Sequence, residues 1–219
     1  MPGQKAPEAE RRRQILEATL AVALKRRLSG LTIREVARVA RLSPALVLFH
    51  YRSRDALVVA LLERLVKETA IVHRPRPEGR VRGSAFFALV HDEARRLSSD
   101  RARSELFFDF WVAGTRHPEL RRVMRRALVR YRGAFRDLAL AECATTGHAH
   151  PGFTPDAWAG AAVSFVYGCA LQSVIDPSGF DVDPSLDAIH AVSSAIAGRL
   201  GTAKRRERAS GTSDTSRGR

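Results

Sequence analysis

The chain has 219 residues, 45% of them hydrophobic, with 37 lysines and arginines against 23 aspartates and glutamates and a formal net charge of +14. That length buries a real core, as one large domain or as a small domain joined to a larger one. With no apolar run near about 18 residues, and no apolar stretch of a secretion signal in MPGQKAPEAERRRQ, a soluble cytoplasmic chain without a membrane span is the expectation.

In chain order, residues 1–10 are polar and are expected to form a disordered tail. From Arg11, the residues Ile15, Leu16, Thr19, Leu20 and Ala23 share one helical face that ends near Ser29-Gly30. Thr32 is placed to cap a second helix, and Glu35 three residues on completes a capping box. Ser43 and Pro44 open a third, short helix; Ser53 caps a longer one that runs to about Val72 and breaks at HRPRPEG. Further helices are expected near 84–98, 102–114, 118–145, 155–175 and 185–200, the last two opened by Thr154-Pro155 and Asp183-Pro184. No run alternates apolar with polar residues, so strands are not required. The tail KRRERASGTSDTSRGR, within residues 201–219, has nothing to pack and is expected to be disordered. The fold class is therefore all-α: an N-terminal three-helix helix-turn-helix domain, residues 11–57, followed by a larger helical domain, residues 58–200.

The charge is concentrated at the ends. Residues 1–54 hold 12 basic and 4 acidic side chains and residues 201–219 hold 6 and 2, which leaves +2 for everything between. A near-neutral body with a cationic head and tail suits a polyanionic partner, nucleic acid ahead of anionic membrane.

Within the head, helices at about 33–39 and 44–50 are joined by a turn of roughly four residues, the size of a helix-turn-helix connection. At about 100° per residue, the third helix puts Val47, Leu48 and Tyr51 on one side, to close a small core with Val36, Ala37, Ala40 and Leu42. Ala45, Leu46, Phe49 and His50 fall on the other side, with no partner in the head. Arg38, Arg41, Arg52 and Arg54 surround that free side, long cations of the kind that reach phosphates flanking a groove. A merely solvated arginine face is the alternative.

The run RRRQILEATLAVALKRRLSGLTIREVARVARLSPALVLFHYRSRDAL, residues 11–57, resembles the DNA-binding domain of the TetR family of transcriptional regulators. It has the first helix, the threonine cap, IREVA, a serine before the reading helix, an aromatic-His-aromatic triplet and a basic residue ahead of Leu57. The resemblance implies double-stranded DNA as partner, bound by a homodimer whose two heads occupy successive major-groove half-sites of a near-palindromic operator. It implies Thr32, Arg41, Ser43, Ala45, Leu46, Phe49, His50 and Arg54 as the DNA-binding residues, and a helical body that binds a small effector and dimerises. FFDFWVAGTRHPELRRVM and VSFVYGCALQSVIDPSGFDVD are similar to the body of the betaine-type repressors. Arg41 and Ala45 stand where many members have glycine, Arg54 where lysine is usual and Phe49 where tyrosine is common. Arginine keeps the phosphate charge and adds a bidentate option. Leu46 and Phe49 offer apolar contact to thymine methyls or sugars.

Chemistry-bearing residues are sparse in the body. His91, Asp109 and His117 lack the tight spacing of a helical metal site, His148 and His150 in TTGHAHPGF read as solvent-facing loop residues, and Cys143 and Cys169 as small core residues. No metal, cofactor or catalytic residue is expected, and with no phosphate loop, nucleophile elbow or spaced carboxylate pair an enzyme is the weaker class. Phe86, Phe87, Phe107, Phe108, Phe110, Trp111, Tyr131 and Phe135 crowd three successive helices, either as core or as the wall of an apolar cavity with Asp109 as its polar group. The family resemblance implies a pocket there, lined by Phe107, Trp111, Tyr131 and Phe165. AWAGAAVSFVYGCALQSVI is apolar nearly all round, as a helix buried on two sides should be. For that helix the resemblance implies a four-helix bundle with its copy, Ala159, Ala162, Val163 and Val166 allowing close approach. The expected function is a repressor whose operator affinity falls when an unidentified small molecule occupies the body. The alternatives are a DNA-binding protein without an effector and a helical ligand carrier or enzyme.

Overall fold

The computed structural model describes residues 7–68, 84–146 and 154–192. They form α1 (Glu8–Arg26), α2 (Ile33–Ala40), α3 (Pro44–Tyr51), α4 (Arg54–Glu68), α5 (Ala85–Ser99), α6 (Arg101–Arg116), α7 (Pro118–Thr146) and α8 (Pro155–Ile175). Residues 182–192 are a further helical stretch, α9, and no strand occurs among the described residues. The HRPRPEG break, His148, His150 and the basic tail lie outside them.

Polar punctuation sets most helix starts. The hydroxyls of Thr32, Ser43, Ser53, Ser84 and Thr154 accept from the backbone N–H of Glu35, Leu46, Ala56, Phe87 and Ala157 at 3.0 to 3.3 Å. Each thereby satisfies one of the donors a helix leaves unpaired at its first turn. Glu35 turns its carboxylate to Arg38 at 2.7 Å and Arg26 at 3.1 Å, so its role in the expected capping box goes to ion pairing instead.

Two boundaries differ from expectation for local reasons. Helix α1 starts at Glu8, inside the expected tail, because Glu8 and Glu10 complement the positive end of the helix and Arg13 reaches Glu10 and Glu17 at 3.1 Å each. It stops at Arg26, before Ser29-Gly30, where Arg27 leaves helical geometry with φ 63° and ψ 173°. In α9 the cap is Asp181, whose carboxylate accepts from the Asp183 N–H at 3.0 Å. Asp183 lies inside the first turn and pairs with Arg95 at 2.8 Å.

In the head, α1 is tied across α2 and α3 by side chains that reach backbone. Gln14 donates to the Ala40 carbonyl at 2.8 Å and Arg12 to the His50 carbonyl at 2.7 Å, while the Tyr51 hydroxyl donates to the Arg12 carbonyl at 3.1 Å. The apolar core does not break at residue 57. Ile15, Val22, Val36 and Val47 belong to one buried cluster with Leu57, Leu61 and Leu62 of α4, Leu106 and Phe110 of α6, and Leu120 and Val123 of α7. A second cluster joins Phe86 and Val90 of α5, Phe135 of α7 and the inner side of α8. By length and composition α8 could cross a membrane, although small and hydroxyl residues interrupt its apolar run; its inner side is part of this second core.

The turn between α2 and α3 depends on Arg41 at φ 55° and ψ 45°, a left-handed conformation that L side chains adopt at a cost of about 1 to 2 kcal/mol. Arg41→Gly is therefore expected to raise the urea midpoint, by about 1 kcal/mol of stability, while removing a cation next to the reading helix. A midpoint at or below that of the parent would argue against the left-handed turn.

Candidate functional site

Helix α3 carries the face expected to read DNA. Pro44 at its first turn fixes the entry, and Val47 and Tyr51 are buried in the head core. Phe49 is 77% exposed and Ala45 is exposed beside it, with Leu46 half-buried on one flank. Leu48, expected to face the core, is 41% exposed. It lies about 100° round from Val47, on the opposite flank. His50 is half-buried: its Nδ1 has no hydrogen-bond partner among the described residues and its ring meets Phe49 edge-on at 5.2 Å.

The expected DNA residues fall into different local roles. Thr32 and Ser43 cap α2 and α3, and Arg41 stands exposed in the turn between them. Arg54 is committed to the head: it donates to the Leu31 carbonyl at 2.8 Å and the Leu28 carbonyl at 2.6 Å, pinning the α1–α2 turn to the start of α4. Its Nε and one Nη2 donor serve these carbonyls, while the side chain stays 43% exposed with its Nη1 group beside Asp55. Arg38, paired with Glu35, and Arg41 and Arg52 stand as exposed cations around the reading helix.

At the other end of the head, Arg27 brackets α1 to α6. Its Nε and Nη2 donate to both carboxylate oxygens of Asp109 at 2.8 Å, its Nη2 to the Glu105 carbonyl at 3.1 Å and its Nη1 to the Glu105 carboxylate. The Leu28 N–H adds a bond to Asp109 at 3.3 Å. Asp109, expected as the polar group of a cavity, faces the head because this guanidinium offers it a planar two-point fit. His91 lies against Asp92 at 3.7 Å, and among the described residues no three His, Cys, Asp or Glu side chains converge on a metal position.

A cavity of about 310 Å³ opens between α4, α5, α6, α7 and α8. Phe107, Tyr131 and Tyr167 supply ring walls, with the two tyrosines stacked at 5.5 Å, and Leu62, Leu65 and Met124 close the head side. Trp111 touches Phe107 and Tyr167 at 6.2 and 5.6 Å but stands behind the wall. Phe165 packs into the second core instead, since it lies about 200° from Tyr167 on α8. Beneath the rings, Glu93 is completely buried; it binds Arg96 at 2.5 Å and accepts from the Tyr131 hydroxyl at 3.0 Å. Burial first, and then the Glu93 charge, pushes the Tyr131 phenol well above its ordinary pKa, and burial likewise raises Tyr167. Both phenols therefore stay neutral and able to donate at physiological pH.

The residues expected at a dimer contact are core residues of the protomer. Ala159, Ala162, Val163 and Val166 are buried within the second cluster. The opposite side of α8 is free: Ala157, Ala161, Ser164, Leu171 and Ile175 are exposed, with Gly168 part-exposed among them. At 100° per residue these six positions lie within about 40° of one line. A Cβ added at Gly160 or Gly168 would meet nothing within 4 Å, so no contact in the protomer requires either glycine.

A helix-turn-helix head with a free reading face, fused to a helical body with an apolar cavity, defines a DNA-binding regulator with a ligand domain. Residues 15–61 match the model of the bacterial regulatory proteins of the tetR family, and residues 85–200 that of the BetI-type transcriptional repressor C-terminal domain. The chain belongs to the TetR family, with a BetI-type body. It is 25% identical over 118 residues, 52% of its own length, to the HTH-type transcriptional regulator BetI of Cronobacter sakazakii, and the match spans 58% of that relative. A putative transcriptional regulator from Pseudomonas aeruginosa PAO1 shares its fold at TM-score 0.64 and 24% identity, over 88% of this chain and 92% of the other. A putative regulator from Saccharomonospora viridis, crystallised in complex with choline, does so at TM-score 0.69 and 19% identity, over 84% and 95%.

The sequence left four important residues unnamed. Arg27 and Tyr167 carry no local signal. Glu93 does: Phe86, Val90, Glu93 and Leu97 run down one stripe of α5, and a carboxylate on an apolar stripe needs a buried partner. Arg130 sits at the cavity mouth, where its partners across the fold cannot be read from spacing.

Proposed function

We propose that the chain is a cytoplasmic, homodimeric repressor whose hold on a near-palindromic operator weakens when a small effector fills the cavity. The observation that carries this reading is that one helix serves both ends. On α6, Ser104 and Phe107 line the cavity, while Glu105 and Asp109, neighbours of Phe107 in sequence, grip Arg27 at the end of α1. A ligand that moves Phe107 therefore acts on the helix that fixes the head. It lowers operator affinity to the extent that it prefers a head spacing the operator does not fit. The open cavity favours an effector over a DNA-binding protein without one.

Arg27 is in a backbone region where side chains are strained by about 1 to 3 kcal/mol, and strain at such a junction fits a coupling role. Arg27→Ala is expected to lower stability by about 1 to 2 kcal/mol, less than a fully buried cluster would lose. It should also weaken operator binding by freeing the head spacing while the salt slope of binding stays unchanged, since Arg27 neutralises no phosphate. A reduced slope, measured by fluorescence anisotropy over a salt series, would place Arg27 at the DNA and refute the bracket.

The function itself is tested by selecting duplexes from a random pool with the purified protein. Recovery of a near-palindrome with half-sites about 34 to 36 Å apart, or a related spacing, is expected. Leu46→Ala should return a changed half-site, each disturbed base contact being worth about 1 to 3 kcal/mol. A pool with no enriched sequence would overturn the regulator reading.

A further inference from the structure

We infer that the cavity takes an amphipathic monoanion, an apolar body bearing one carboxylate or comparable acid group, with Arg130 as the residue that holds the charge. The inference rests on the cavity being the effector site. The walls suit an apolar body: rings of Phe107, Tyr131 and Tyr167 on one side and aliphatic side chains of α4 and α7 on the other. The charges decide what the body carries.

A carboxylate whose charge is not already spent would favour a cationic ligand. Two carboxylates line the cavity, Glu68 and Asp100, and Glu93 lies beneath its floor. Each is held by an arginine: Glu68 by Arg64 at 2.6 Å, Asp100 by Arg103 at 3.2 Å and Glu93 by Arg96 at 2.5 Å. The ring faces would attract a cation in isolation. Here Arg96 and Arg103 line the same space, so an incoming cation would meet guanidinium groups as well as rings.

The cationic side of the count has one group left over. Arg130 also lines the cavity, is exposed at its mouth, and pairs with no carboxylate among the described residues. Arg103, whose pair with Asp100 is half-exposed, can share a second acceptor at little cost. An acid group at the mouth would thus be bound by a free guanidinium with a second one in reach, and the apolar remainder would extend inward between Phe107 and the α4 side chains.

Octanoate, octan-1-ol and octyltrimethylammonium share one chain and differ in charge, and binding of each to the purified protein is measured by calorimetry and tryptophan fluorescence. Octanoate is expected to bind about tenfold more tightly than either other probe, the worth of one hydrogen bond to a charged group. Arg130→Gln should remove most of that preference and Arg130→Lys should restore part of it, with the circular dichroism of both variants unchanged. Octanoate binding no more tightly than octanol, failure of all three to bind, or a preference that survives in Arg130→Gln overturns the inference. The same probes are added to the protein–operator complex. Release by octyltrimethylammonium alone would refute the anion and keep the repressor reading, whereas selective octanoate binding that leaves the operator complex intact would refute the effector-released repressor and keep the anion.

Discussion

Ala161→Arg is expected to give a folded monomer that has lost its operator, while Ala162→Arg, one residue further along α8, is expected not to fold. Ala161 lies on the exposed line with Ala157, Ser164, Gly168, Leu171 and Ile175, whereas Ala162 is 6% exposed inside the second core. The exposed line has the marks of a seam between two helices. Its N-terminal half is small, its C-terminal half presents Leu171 and Ile175, the latter 76% exposed, and Gly160 and Gly168 sit beside or on it. A glycine inside a helix costs about 1 kcal/mol relative to alanine, and nothing in the protomer requires these two, but close approach of a second helix would. An arginine at 161 places a charge in that seam and leaves the protomer core untouched. Losing the second head removes avidity worth about 10² to 10⁴ in affinity. An arginine at 162 is forced among Phe86, Phe135 and Val166, at several kcal/mol. Sedimentation, circular dichroism and operator titration of both variants decide the matter: a dimeric, operator-binding Ala161→Arg would sink the seam.

Glu93→Ala is expected to destabilise the body by about 3 kcal/mol, toward the lower end for a broken buried pair because Arg96 keeps some contact with water. It strands the Arg96 charge beneath the cavity and takes the acceptor from the Tyr131 hydroxyl. For a chain of this size that corresponds to a fall in melting temperature of about 6 to 12 °C. The double variant Glu93→Leu with Arg96→Met should recover much of the loss, since it removes both charges together and fills the space with apolar groups. If Glu93→Ala melts within 2 °C of the parent, within about 1 kcal/mol, the buried pair contributes little and the floor of the cavity has another support.

What the sequence made legible was local. Thr32, Ser43, Ser53 and Thr154 each sit ahead of an apolar run, and each caps the helix it was expected to cap. The reading helix was legible for the same reason, since the spacing of its apolar residues decides its inward side; Leu48, expected inward, is exposed, and His50, expected on the free side, is half-buried. Rotation failed where a helix is apolar all round. In α8 the hydrophobic pattern has no direction, and alanines on the inner and outer sides look alike in sequence; Ser164, Gly168 and Gln172 are the weak signs of the outer side. Partners across the fold were not legible either. Asp109 on α6 reads as a cavity residue among phenylalanines until Arg27, 82 positions earlier, comes beside it. Arg54 reads as a phosphate ligand alone, and its bonds to the Leu28 and Leu31 carbonyls, 26 and 23 positions earlier, could not be read from spacing.

The apolar cluster that runs from α1 into α4, α6 and α7 bears on how such regulators can be recombined. A head cut at residue 57 would leave Ile15, Val22 and Val36 without the Leu61, Leu62, Leu106 and Phe110 side chains that complete their packing. The DNA-reading unit is therefore no cassette that can be lifted out and attached to a foreign sensor. A chimera that changes operator choice while keeping the sensor has to be made by grafting only the outward residues of α3, Ala45, Leu46, Leu48 and Phe49, onto the resident helix. Diversification of operator preference would then proceed on those few positions while the junction proposed to transmit the ligand signal is held constant by its own packing.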